Sequence, residues 1–91
     1  MDFSDDTIKQ IQELAEALTP VSDIAALLDI DENELREEIN YVNSPVRRAY
    51  NKGKAKTALA LRKQELELAR VGSPLAVQLT ATYIKDMTID E

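Results

Sequence analysis

Residues 20–39 read PVSDIAALLDIDENELREEI, and the spacing of their apolar side chains decides the fold. Ile24 and Leu28 lie four apart, Leu35 and Ile39 lie four apart, and Ile30 falls between them in an Asp-Ile-Asp turn. Four-residue spacing repeats one face of a helix, so the stretch predicts two short helices that share a core with their turn. Thr19-Pro20 caps and opens the first, which runs to about Leu28, because Pro in the first helical position needs no N–H partner. Asp31 and Glu34 make the D-x-x-E pattern of a capping box and start the second, to about Tyr41. Ala25 is the small residue where the two helices come close. Asp29 stands where Gly is usual after a helix, and a short polar side chain tolerates that left-handed conformation.

The breaks on either side are equally legible. Ser4, followed by Asp5 and Asp6, caps a first helix, with the acids where the helix dipole favours them. Ile8, Ile11, Ala15 and Leu18 share one face of it, with Leu14 on the flank. Asn43-Ser44-Pro45 opens a long helix that runs to about Val71 and stops at Gly72, roughly 27 residues or about 40 Å. Ser73-Pro74 opens a last helix, to about Met87. On the long helix Val46, Tyr50, Gly53, Thr57, Leu61 and Leu68 define one weakly apolar face, and Ala55, Ala58, Leu59, Leu66 and Ala69 another. Two faces require two neighbours. The last helix is one, with Leu75, Ala76, Leu79, Tyr83 and Met87 along one side, widened by Val77 and Ile84, and the short Gly-Ser-Pro link makes the pair antiparallel. The other neighbour is the N-terminal half or a second copy of the chain. The expected fold is all-α: a three-helix unit over 1–43 and a long helical hairpin over 44–91, together one compact domain.

Composition limits what such a fold can do. Ninety-one residues make one small domain, with room for one site. The chain has no Cys and no His, which removes disulfides, Cys/His zinc sites, haem attachment, cysteine nucleophiles and the Ser-His pair together. Asp29, Asp31 and Glu34 lie close in sequence, but the segment lacks the turn Gly and terminal Glu of a calcium loop, and helix capping accounts for them. We expect no enzyme, no metal and no cofactor. The start, MDFSDDTIKQ, shows no basic end followed by an apolar run, and no apolar stretch approaches the roughly 18 residues of a membrane span. The expectation is a cytoplasmic protein with no membrane partner.

The formal charge of -6 conceals an asymmetry. Residues 1–46 hold twelve Asp and Glu against Lys9 and Arg36, whereas 47–70 hold eight Lys and Arg against Glu65 and Glu67. Placed at 100° steps, Arg48, Lys52, Lys56, Lys63 and Arg70 fall within about 80° of one another on the long helix. Such a stripe is a footprint for a polyanion such as double-stranded DNA, or a solvated face paired with the acidic half.

The 20–39 segment has the spacing of a helix-turn-helix, a motif that reads DNA in some proteins and is a plain two-helix corner in others. Further motifs occur in order: Ile24-Ala25-Ala26-Leu27-Leu28, Tyr50 with Gly53, Leu61-Arg62 with Ala69, and Gly72-Ser73-Pro74-Leu75-Ala76. From about Leu18 to Met87 the chain thereby resembles the small-terminase-like, transposase-like helix-turn-helix proteins of bacteriophages. That resemblance implies a non-catalytic DNA-packaging role in the host cytoplasm: binding viral DNA, assembling into a ring-like homo-oligomer, and handing DNA to a large-terminase motor subunit. It also implies that Glu32, Asn33, Arg36 and Glu37 of the third helix face the bases. Only Asn33 and Arg36 suit that task, Asn towards adenine and Arg towards guanine. Glu38 departs from the pattern, standing where a second apolar residue often supports the corner. DNA contact without base reading would use the stripe and its neighbours Arg47 and Lys54 on phosphates. The candidate DNA-binding set is therefore Asn33, Arg36, Arg47, Arg48, Lys52, Lys54, Lys56 and Lys63. The rival reading is an interaction or oligomerisation module on the same scaffold that does not bind DNA.

Overall fold

Ser4 opens the first helix as the spacing predicts: its Oγ accepts from the Thr7 amide at 3.1 Å. A computed structural model describes residues 3–90, with side chains to Met87. Five helices follow one another: α1 (Asp5–Glu16), α2 (Val21–Leu27), α3 (Glu32–Asn40), α4 (Pro45–Arg70) and α5 (Pro74–Asp90). The described chain is all-α.

Three of the helix ends use one device. Past α1 the Thr19 amide reaches back to the Leu14 carbonyl (3.1 Å), past α2 the Ile30 amide reaches Ala25 (2.9 Å), and past α4 the Ser73 amide reaches Leu68 (3.1 Å). Each six-to-one bond requires a left-handed residue at the corner. Those residues are Leu18 (φ 59), Asp29 (φ 55) and Gly72 (φ 93). Asp29 and Gly72 were expected there. Leu18 was expected on the buried face of α1, but it lies beyond the last helical turn and is 57% exposed. Pro20 is likewise the N-cap of α2 and not its first helical residue: its ψ of 151° is extended, and its carbonyl accepts from the Asp23 and Ile24 amides.

The chain forms two compact units, Met1–Thr57 and Ala58–Glu91. In the first, Ile11, Ile24, Ala25, Leu35 and Val46 form the buried cluster, with Phe3, Ile8, Leu14, Val21, Leu28, Ile30, Ile39 and Tyr50 packed around it. The five apolar positions that fixed the reading of 20–39 all belong to this core. The sequence division at Asn43 assigned all of α4 to the hairpin, whereas residues 45–57 of α4 complete the first unit. The cause is close packing: α4 buries Val46, Ala49 and Gly53. A Cβ on Gly53 would meet the Gln12 carbonyl, lie 2.8 Å from the Ala15 Cβ and 3.0 Å from the Glu16 amide nitrogen. Only glycine lets α1 and α4 approach this closely.

The second unit pairs residues 58–70 of α4 with α5. Arg62 lies over the Tyr83 ring, 5.2 Å from its centroid. Leu59, Leu66, Thr80, Ile84 and Met87 line a shallow hollow with them. Early positions of one helix meet late positions of the other, so the pair is antiparallel. Among the described residues of this unit, Ala76 alone is a buried apolar side chain. Leu75 and Met87, expected to face α4, are 66% and 64% exposed, and Leu61 and Leu68 are exposed as well. Two helices share one seam, and residues off that seam find nothing to cover them within the unit.

Candidate nucleic-acid interface

The α3 surface is built by its cap. The Asp31 carboxylate accepts from the Glu34 amide at 3.1 Å, which starts the helix and sets its exposed face. That face carries Glu32, Asn33, Arg36 and Glu37, all exposed. Arg36 Nε donates to Glu32 Oε2 at 3.0 Å, four residues back along the helix. The one cation of α3 is therefore held by a carboxylate of the same face, and Asn33 is the remaining neutral donor. An exposed pair of this kind is weak, so the contact orients Arg36 without locking it.

Glu38, the departure noted in the sequence, has a structural task. Its Oε2 accepts from Ser44 Oγ at 2.8 Å, and the same Oγ accepts from the Val46 amide at 3.1 Å. Ser44 is 1% exposed. The carboxylate thus fixes the hydroxyl that caps α4, at the helix end where negative charge is favoured. The cap was legible in Ser44-Pro45; the carboxylate six residues earlier was not, because the intervening loop has no periodicity.

On the first stretch of α4 five of the eight candidate residues separate by side. Arg48, Lys52 and Lys56 follow at four-residue steps, about 40° apart, in a row that starts well away from the buried Val46–Ala49–Gly53 face and ends on its flank. Arg48 and Lys52 are exposed, and among the described residues neither has a carboxylate at ion-pair distance. Arg48 Nη1 donates to the Asn43 carbonyl at 3.2 Å, which leaves its remaining donors outward. Lys56, at the end of the row, lies 3.6 Å from Glu16 with its side chain 55% exposed. Beside it Thr57 Oγ1 donates to the Glu16 carbonyl.

Arg47 and Lys54 stand apart from this row. Arg47 is half-buried and donates through Nη1 to the Ile39 carbonyl at 3.3 Å. Lys54 lies over the Tyr50 ring at 5.0 Å and borders a hollow of about 160 Å³ with Leu18, Thr19 and Pro20. Two residues from Lys52 is about 200° around a helix, so Lys54 faces the other way. In the second unit Lys63 is exposed at the rim of the hollow beside Tyr83. Arg70 is tied to Glu67 at 2.6 Å. The stripe read from the sequence is thus a row of three cations in the first unit, with Lys63 and Arg70 in different settings in the second.

Among the described residues no cluster of three or more acidic side chains is arranged to hold a metal ion, and no helix is long and apolar enough to cross a membrane. No protein-family model, no curated protein and no solved structure matches the chain.

Proposed function

We propose that this protein is a non-catalytic DNA-binding protein of the helix-turn-helix type that grips the phosphate backbone through Arg48, Lys52 and Lys56, and does so without reading the sequence through α3. The row of outward cations on α4, two of them unpaired, carries this reading. Along this row the described residues place three exposed cations at successive turns, and only Lys56 has an acid at ion-pair distance. The acidic face of α3 argues against groove entry by that helix, since Glu32 and Glu37 would face phosphates. A packaging role of the small-terminase kind, with a motor subunit as partner, follows from the resemblance noted above and is consistent with a protein that holds DNA and leaves the chemistry to another.

Three phosphate contacts predict a slope near -2.7 for log affinity against log salt, so binding falls about 40-fold between 50 and 200 mM. Fluorescence anisotropy on a labelled duplex measures this. Arg48→Glu with Lys52→Glu abolishes binding at 50 mM and leaves helicity unchanged, because both side chains are exposed. Absence of binding by the native chain at 50 mM rejects the reading.

The same protein is proposed to self-associate through its second unit. The specific observation is that Leu59, Leu61, Leu66, Leu68, Leu75, Ile84 and Met87 are exposed, while among the described residues of this unit Ala76 is the one buried apolar side chain. Exposed apolar area on this scale marks an interaction surface. Light scattering from micromolar to millimolar protein shows a rising mass; a constant monomer mass removes the proposal. Association without DNA binding would favour the interaction-module reading.

A further inference from the structure

The loop between α3 and α4 presents Tyr41 and Val42, 63% and 74% exposed, side by side to solvent. Loops of this kind usually carry polar residues, and two large apolar side chains in water invite a binding explanation. The loop is also held firmly. The Tyr41 amide donates to the Glu38 carbonyl (3.2 Å) and the Ser44 amide to the Tyr41 carbonyl (3.0 Å). Arg47 donates to the Ile39 carbonyl and Arg48 to the Asn43 carbonyl. Ser44 and Glu38 close the base of the loop. Apolar groups carried on a backbone fixed before binding lose less freedom when they bind.

The surroundings say what they would meet. Arg48 heads the cation row and donates to the carbonyl of Asn43, the residue next to Val42 in the loop, so a phosphate held on Arg48 lies close to the loop. The acids nearest the loop in sequence are Glu37 and Glu38, and Glu38 is already engaged by Ser44. A protein partner needs a broad apolar patch, typically some 800 Å² a side, and two side chains do not provide one. A base step needs only one or two apolar side chains flanked by cations.

We propose that Tyr41 and Val42 form an apolar wedge that enters the base stack of DNA held on the Arg48–Lys52 row. This inference rests on the phosphate-gripping reading and adds to it a contact that is not ionic. The test uses the full chain with a duplex carrying 2-aminopurine, whose fluorescence rises when its neighbours unstack. Native protein raises that fluorescence. Tyr41→Ala with Val42→Ser loses the rise and weakens binding about tenfold or more at fixed salt, while the salt slope stays as in the native chain because no cation is removed. Tyr41→Phe keeps both. If native protein binds with the expected slope and the double variant matches it in affinity and fluorescence, the wedge is rejected and the phosphate grip stands. Failure of the native chain to bind at 50 mM overturns both. A double variant whose light-scattering mass changes while its DNA affinity does not assigns the loop to self-association and also overturns the wedge.

Discussion

The two units use similar side chains to opposite effect. Residues 3–57 bring four helical segments around a common centre and bury Ile11, Ile24, Leu35 and Val46 to 1% exposure or less. Residues 58–87 hold as many large aliphatic side chains for their length, yet all but the half-buried Leu79 remain exposed. The difference lies in the number of elements, since a centre needs neighbours on several sides and a hairpin offers one seam. A stable core therefore follows from topology as much as from apolar content.

The largest effect that sharpens this contrast comes from deleting aliphatic bulk in each unit. Leu35→Ala removes a side chain with no exposure and costs about 2–5 kcal/mol. Leu66→Ala removes one that is 40% exposed and costs about 1 kcal/mol in dilute protein, because only part of the transfer from water is lost and no enclosed cavity is left. Urea unfolding followed by circular dichroism compares them, and equal losses would erase the distinction between the units. Next come the two glycines. Gly53→Ala forces a Cβ into the α1 backbone and costs about 1–3 kcal/mol, although alanine is the better helix former by about 1 kcal/mol. Gly72→Ala meets nothing within 4 Å and loses only the left-handed preference, about 1 kcal/mol. A milder thermal shift for position 53 than for position 72 would contradict the close approach of α1 and α4. The smallest effect has the reverse sign: Leu18→Gly relieves a left-handed leucine and gains about 0.5 kcal/mol after the added freedom of the unfolded chain is subtracted. Destabilisation by that change would mean that the Leu18 side chain contributes more packing than its exposure implies.

Much of this architecture was legible in the residues because helices announce themselves at both ends. Ser4, Asp31 and Ser44 cap where the sequence places them. Asp29 and Gly72 turn where a left-handed residue is needed. Leu18 escaped because leucine carries no turn signal; the Thr-Pro that follows was the available sign, since a residue before proline leaves the helical region. The separation of the cation stripe escaped for another reason. Periodicity places side chains around one helix but says nothing of what stands opposite them, so the Glu16 beside Lys56 required the fold, whereas Tyr50 beneath Lys54, four residues back on the same helix, did not. The Tyr41–Val42 loop escaped as well, having neither period nor cap to mark it.

Gly53 and its neighbours on α4 bear on how this gene can be shortened. A fragment ending at Asn43 keeps every residue of the first three helices and still strips the covering from Ile11, Ile24 and Leu35, so it would be recovered as an aggregate. Extending the reading frame by fourteen codons, to Thr57, restores Val46, Ala49 and Gly53 together with the hydroxyl that meets Glu16. The shortest piece that keeps this core covered thus ends in the middle of a helix, where a boundary chosen from secondary structure would never put it.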